Sequence, residues 1–408
     1  MKRYLWIGSF STDLVNTELQ SLGYNNASQH VAQKNLLEAI EDVWNVKFDA
    51  LGSVLLPDAN EKNVRNMQDI KFSHAEGCND LLVGYKNVKY LNRLLSTKNL
   101  LKVLKKRLRG YSRSDEVVVF MYEMRSVCYK AAAVIKRFFP KAKIVLIVPD
   151  LPIYMSGSYS ILKKTLKFLD SFSMKIRKKH IDKYILFAKP MADYLKIPEA
   201  SYTVVEGSIS FSDIQKYENT KSKLENDILN NKTKVVMYSG VIDESYGIIE
   251  LIKAFDYLGR EYELWITGSG VSSEKVKAMA SEKENVRYLG FLPSREDVIQ
   301  RQKEATALIN IRNPKEEASR YCFPSKLFEY MISGTPVISS MIEGIPDEYY
   351  SYIIPLDNNS PEEIAKKIAC VGNMRDDERR LLVQRAYDFV EKNKNNLTQA
   401  KKIISFVE

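Results

Sequence analysis

The 408-residue chain has no run of ~18 uncharged apolar residues, so nothing in it reads as a membrane-spanning helix. Histidine is scarce, with three residues, and the four cysteines, Cys78, Cys128, Cys322 and Cys370, are scattered without metal-ligand spacing. No metal site is therefore expected, and a reducing compartment is. The opening MKRYLWIGSF runs straight into a strand pattern and lacks the apolar core and cleavage site of a secretory signal, which leads us to expect a cytoplasmic protein. Low-complexity tracts and nucleic-acid-binding motifs are also missing.

Acidic residues are thin in the first half. Residues 1–195 hold 32 lysines and arginines against 18 aspartates and glutamates, so this half carries +14 of a total of +10 and the remainder −4. Lys86–Arg113 has ten basic residues and no acidic one, and Ile161–Lys183 interleaves eight basic residues with Leu162, Leu166, Phe168, Leu169, Phe172, Met174 and Ile176. Such a pattern suits an anionic membrane surface, a nucleic-acid backbone, or the solvated face of a core-packed helix. With no nucleic-acid motif present, the expected partner is an anionic membrane surface met by these two stretches, and no nucleic acid.

Hydrophobic residues make up 45% of the chain, enough for sizeable cores, and its length suits two domains. Short, β-branched runs alternate with helical patterns twice over. YLWIGS, DEVVVFMY, AKIVLIVPD, KYILFA and YTVVEG read as buried parallel strands of a first domain. TKVVMYSG, YELWITGSG, NVRYLGF, ATALINI, TPVISS and SYIIPL read as those of a second. Residues 209–232 are polar and read as a linker plus a helix. The expected fold class is α/β, with two Rossmann-like doubly wound domains facing one another across a cleft. Their expected extents are 1–208 and 209–380, with 381–408 a C-terminal helix that can pack back on the first.

FPSKLFEYMISGTPVI, Phe323–Ile338, carries the most chemistry. Pro324 suits a first helical position, Leu327, Phe328, Met331 and Ile332 recur at helical spacing, and Gly334 ends the run. The strand ATALINI precedes it, so the helix starts at a strand's carboxyl end, where ligands of open parallel sheets bind. Lys326 and Glu329 share a face. The ammonium and the free N–H groups of a helix start favour phosphate, and a carboxylate one turn deeper can accept two hydrogen bonds from a diol. A surface ion pair worth under about 1 kcal/mol is the plain alternative.

These residues, with VVMYSGVIDESYGIIELIKAF and YELWITGSG followed by NVRYLGFLPSRED, resemble the family-4 glycosyltransferases of the GT-B fold. The resemblance is good over residues 234–356 and thin over the first half. It implies transfer of a sugar from a nucleotide donor, most often UDP-linked, held by the second domain, without cofactor or metal and usually with retention at the anomeric carbon. It implies donor contacts from Gly240 and Gly268, from Phe291 and Leu292 near the base, from Arg320, from Ser325, Lys326 and Leu327 at the diphosphate, and from Glu329 at the ribose. Lys326 and Asp150 are the expected catalytic groups. The family's arginine and lysine in the first loop of the second domain are replaced by Val241 and Tyr246, which shifts phosphate charge onto Lys326 and onto Arg312 or Arg320. Tyr321 stands where many members have another glutamate.

The first domain is expected to bind a glycan or lipid-linked acceptor. Asp150, closing the strand IVLIVPD, suits a base or sugar contact, and GYNNASQHV offers Asn26, Ser28 and His30. The implied role is polysaccharide or glycoconjugate assembly at the inner face of the cytoplasmic membrane. A GT-B subunit that stabilises a partner transferase and a sugar-nucleotide epimerase are the alternatives, and a homo- or hetero-oligomer stays open.

Overall fold

The computed structural model describes residues 1–21, 27–56, 66–152, 172–219, 233–292 and 294–408. The chain divides into one unit of residues 1–187, 191–205 and 400–408 and a second of residues 188–190 and 206–399.

In the first unit, β1 (Lys2–Gly8), β2 (Asp49–Gly52), β4 (Ile70–Phe72), β5 (Asp80–Leu82), β7 (Glu116–Tyr122), β8 (Lys143–Val148), β9 (Lys183–Leu186) and β10 (Tyr202–Val204) form one sheet, with β3 (Asn66–Met67) and β6 (Tyr85–Lys86) as a separate pair. Its order is β10-β9-β8-β7-β1-β2-β5-β4, parallel except for β4 against β5. Strand order therefore reverses between β7 and β1, the place where open α/β sheets receive ligands. The sequence runs that form β1, β7, β8 and β9 are largely buried on both faces, as parallel strands require, and β10 at the sheet edge is half-buried. The short strands β2 and β5 escaped the sequence reading because DALG and DLL are too brief to show a period.

Helices α1 (Asp13–Ser21), α2 (Ala27–Trp44), α3 (Asn92–Arg109) and α4 (Ser126–Phe138) belong to this unit. Its core joins Trp6, Leu37, Ile40, Phe48, Phe120 and Ile147 to Ala400, Ile403 and Val407 of the last helix, Asn396–Val407. Phe120 lies edge-on to Phe48 with ring centroids 5.5 Å apart. The C-terminal stretch is two helices rather than one. Asn395 interrupts it, its side-chain oxygen accepting from the Thr398 N–H at 2.8 Å as an N-cap does.

The amino ends of β2 and β5 hold a buried polar cluster. His74 Nδ1 lies 2.6 Å from Asp80 and Nε2 3.1 Å from Glu41. Glu41 also accepts from the Phe48 N–H, and Asp80 from the Ala50 N–H. The ligand atoms of Glu41, His74 and Cys78 lie within 4.8 Å of one another, and both ring nitrogens of His74 face carboxylates. Burial opposes charge on His74, but Asp80 and Glu41 outweigh it and push its pKa up to about 9. A folded pKa above the unfolded ~6.5 stabilises fully below pH ~6.5 and is lost as pH rises through about 9. Urea unfolding is expected to lose roughly 3 kcal/mol across that window, and His74→Gln to flatten the decline. An equally steep decline in the variant would refute the assignment.

In the second unit, β11 (Lys234–Val241), β12 (Tyr262–Ser269), β13 (Val286–Gly290), β14 (Ala307–Asn310), β15 (Val337–Ser340) and β16 (Ile354–Leu356) form an all-parallel sheet in the order β13-β12-β11-β14-β15-β16. This is the doubly wound 3-2-1-4-5-6 order, with its reversal between β11 and β14. One face is covered by Ile248, Leu251, Ile364 and Ile368, the other by Leu327, Phe328, Met331 and Phe389. All six sequence-expected strands of this unit are present. Both units are thus doubly wound α/β folds of the Rossmann kind.

Candidate active site

The carboxyl ends of β11 and β14 place Gly240, Val241 and Arg312 at the reversal of the second sheet, with Phe291 after β13 and the 311–325 connection leading to the helix Lys326–Met331. That helix starts two residues later than the sequence implies. Pro324 and Ser325 turn ahead of it, their carbonyls accepting from the N–H groups of Leu327 at 2.8 Å and Phe328 at 3.2 Å. Gly334 has φ of +81°, the left-handed conformation that closes helices and that a side chain disfavours.

The helix is pinned by its apolar and aromatic residues. Leu327 is fully buried, so only its backbone can meet a ligand. Tyr330 is buried, and its hydroxyl accepts from the Ser239 N–H at 2.8 Å and donates to the Ser239 carbonyl at 3.0 Å. Gln302 reaches the Ser239 hydroxyl at 3.2 Å and accepts from Tyr217 at 3.0 Å. A satisfied buried network thus fixes the Lys326 helix against the residue before Gly240.

Lys326 and Glu329 are on one face, as their spacing requires, and bond to each other at 2.7 Å with side chains 40% and 26% exposed. Solvent reaches both, so a ligand can compete for either. Ser325 is exposed at the helix start. Phe291 is 71% exposed, and Leu292 beside it is partly buried. Arg320 bonds Glu343 at 2.8 Å.

Gly240 pairs with Gly268 across β11 and β12, and a Cβ on Gly268 would lie 1.8 Å from the Gly240 carbonyl oxygen. The close approach of the two strands by itself therefore requires glycine at 268. A Cβ on Gly240 would meet the Tyr238 hydroxyl at 3.2 Å.

The first loop of the second unit, which carries Val241 and Tyr246, meets a cation. The Arg312 guanidinium stacks on the Tyr246 ring, 3.5 Å from its centroid. Its backbone is tied down on both sides, the N–H donating to Ser340 at 3.0 Å and the carbonyl accepting from Asn359 at 2.7 Å. The Tyr246 substitution thus holds an arginine delivered from the end of β14.

In the first unit, Asp150 lies just past β8 and lines a cavity of about 290 Å³ together with Glu123, Arg125, Ser126, Ser53 and Arg93. His30 is buried, with Nδ1 3.4 Å from Ser11 and Nε2 3.0 Å from Asp13, a carboxylate that also bonds Lys34. Both its nitrogens already have partners. Ser28 lies on α2, and Asn26 lies outside the described residues. Glu123 did not emerge from the sequence, where MYEMRS carries no motif.

Residues 220–389 match the family described as Glycosyl transferases group 1. The match covers 170 of the 408 residues, all in the second half of the chain. No curated protein matches the chain. Among solved structures, the chain is similar to Anabaena HepE in complex with UDP, at 12% identity and a TM-score of 0.66 over 99% of this chain and 98% of that one. It is similar to sucrose-phosphate synthase from Thermosynechococcus elongatus at 14% identity and a TM-score of 0.66, again over 99% and 98%. The lipopolysaccharide outer core galactosyltransferase WaaB, in its apo form, matches at 14% identity and a TM-score of 0.60 over 100% and 99%. At these identities the likeness carries the GT-B fold alone. The match spans the Lys326 helix, Gly240, Arg312 and the Tyr330, Ser239 and Gln302 side chains together.

Proposed function

We propose that this glycosyltransferase moves a sugar from a UDP-linked donor, held by the second unit, to a glycan or lipid-linked acceptor in cell-surface polysaccharide or glycoconjugate assembly. The observation that carries the reading is the Lys326–Glu329 face, pinned by Tyr330 to the β11 end with Arg312 stacked on Tyr246 at the same sheet reversal. Lys326 and Arg312 supply positive charge for a leaving diphosphate, and Glu329 supplies the acceptor pair for ribose hydroxyls. The UDP complex of HepE supports the choice of nucleotide. Retention at the anomeric carbon and chemistry without a cofactor or metal are part of the same reading.

The membrane-peripheral part of the proposal is supported by the first unit's surface. Tyr90, Leu91 and Leu94 are 46–61% exposed beside Lys89 and Arg93, and Phe172 and Ile176 are 56% and 52% exposed beside Lys175 and Arg177. Exposed apolar residues flanked by cations suit an anionic bilayer surface. Much of the second basic stretch, residues 161–171, lies outside the described residues. Among the described residues no helix is long and apolar enough to cross a membrane.

Incubating the pure protein with UDP-sugars and anionic phosphatidylglycerol vesicles tests both parts. Slow release of UDP, followed by mass spectrometry, and salt-sensitive flotation with the vesicles are expected. UDP binding without turnover would mark a partner-stabilising subunit instead, and interconversion of donors an epimerase.

A further inference from the structure

The buried polar cluster at the amino ends of β2 and β5 lies at the opposite end of the strands from the carboxyl ends, where open α/β sheets bind their ligands. Among the described residues it holds the one group of three side chains placed to share a metal ion. Glu41 comes from α2, and His74 and Cys78 from the connection between β4 and β5. The side chains of Glu41 and His74 are 1% and 4% exposed, and Cys78 is buried. Ser73, Glu76, Gly77 and Asn79 around them are exposed, so the cluster lies directly beneath the surface. The connection is built to bring its two donors together. The Asp80 carboxylate accepts from the His74 N–H at 2.8 Å and that of Asp49 from the Asn79 N–H at 2.8 Å, which ties both ends. Gly77 has φ of +83° and the Cys78 N–H donates to the Ala75 carbonyl at 3.1 Å, turning Cys78 back toward His74.

The His74 ring is oriented for coordination. Nδ1 donates to Asp80 at 2.6 Å, and Phe10 packs edge-on against the ring with centroids 5.1 Å apart. A carboxylate on one imidazole nitrogen fixes the tautomer that presents the other to a metal. That other nitrogen, Nε2, lies 3.1 Å from Glu41 Oε1 and 3.9 Å from Cys78 Sγ. Tetrahedral zinc, with bonds of ~2.0–2.2 Å to nitrogen and oxygen and ~2.3 Å to sulfur, holds such pairs about 3.4 Å and about 3.6 Å apart. Glu41 and Cys78, within 4.8 Å of each other, need close by no more than about 1 Å. Glu41 is itself held, its Oε1 accepting from the Phe48 N–H at 2.7 Å and its other oxygen from Lys47 at 2.9 Å.

We propose that Glu41, His74 Nε2 and Cys78 Sγ bind one zinc ion, with a water in the fourth position, and that the ion clips α2 to the β4–β5 connection. Asp80 is the positioning residue that holds the imidazole. A thiolate beside an imidazole selects zinc over magnesium or calcium, which take oxygen ligands. Binding exchanges the ion for two protons. One leaves the His74–Glu41 bond and the other the Cys78 thiol, so the net charge of the cluster is kept. Without the ion, burial together with the Asp80 and Glu41 carboxylates pushes the Cys78 thiol up to about 11. It is then protonated and a poor nucleophile, which does not suit a covalent or redox role. The clip takes no part in sugar transfer, and the alkaline loss of stability belongs to the metal-free chain, in which His74 keeps both protons.

The probe is zinc chloride added to the full chain after a chelator has stripped it of metal. One zinc per chain is expected to survive dialysis, read by elemental analysis, and to raise the melting temperature. Cobalt(II) in its place should give a thiolate-to-cobalt charge-transfer band in the near ultraviolet. Cys78→Ala should bind zinc roughly a hundredfold or more weakly and lack the band. It should melt with the metal-free wild type, because the His74 bonds to Asp80 and Glu41 stay in place. Asp80→Asn should weaken zinc binding roughly 10–100-fold yet keep the band, as loss of a residue behind a ligand does. Cys370→Ser, which removes an exposed thiol, should change neither. UDP binding should be the same with and without zinc. The wild-type band decides the question even where a variant is unstable. A wild type that keeps no zinc or shows no thiolate band would overturn the proposal. Undiminished binding by Cys78→Ala, or loss of the ion in Cys370→Ser, would assign the zinc to a surface thiol and overturn it equally.

Discussion

Lys326→Ala is expected to keep the fold and lose about 10²–10³ in turnover on a UDP-sugar, the usual cost of removing one donor to a developing oxyanion. Cleavage of the donor leaves negative charge on the β-phosphate, so a cation fixed near that oxygen acts mainly in the transition state. The cost in stability is small for a physical reason. Lys326 is 40% exposed, and its bond to Glu329 is an i,i+3 surface pair of the kind worth under about 1 kcal/mol. The helix is held by Leu327, Phe328 and Met331 in the core and by Tyr330 on Ser239, none of which the substitution touches. Turnover measured beside the melting temperature separates the two effects. Wild-type turnover in the variant would remove Lys326 from the mechanism, and a large drop in melting temperature would recast the ion pair as structural.

The largest effect on stability is expected at Lys394, a residue of the second unit remote in sequence from every motif. Its side chain is 6% exposed and bonds Glu206 at 3.2 Å and Glu348 at 2.8 Å, and Glu206 is itself 4% exposed. The ammonium lies 4.9 Å from the Tyr349 ring centroid and 5.4 Å from that of Phe389. Lys394→Met would leave a buried carboxylate without its cation, at a cost of about 3–5 kcal/mol. Replacing Glu206 by glutamine as well removes the stranded charge, so Lys394→Met/Glu206→Gln should recover a good part of the loss. Chemical unfolding of the three proteins checks this. A single variant within about 1 kcal/mol of wild type would show that water or Glu348 already compensates.

How much was legible in the sequence followed the length and periodicity of each element. The six strands of the second unit were readable because VVMYS, LWITG and VIS are dense in residues that suit burial on both faces. The brief strands DALG and DLL were not, since a strand of three or four residues shows no period and its identity comes from the neighbour it pairs with. Lys326 and Glu329 could be paired on paper because a helix brings residues three apart onto one face. The break at Asn395 could not, because NKNNLTQ reads as helical until the Asn395 side chain is seen capping Thr398. Val241 and Tyr246 looked like a lost phosphate clamp, and the ring of Tyr246 turns out to hold Arg312, 66 residues away in the sequence and brought there by the end of β14.

The chain by itself determined the class of fold and the chemistry of one helix start, since hydrophobic period and the spacing of a lysine and a glutamate are local properties. Only the tertiary structure decided what meets across distance. The reversal of strand order in each sheet is a property of connectivity, and it brings Arg312 onto Tyr246 in one unit and Glu123 and Asp150 to one cavity in the other. Contacts between residues tens of positions apart leave no period in a sequence, because packing of whole strands and helices makes them.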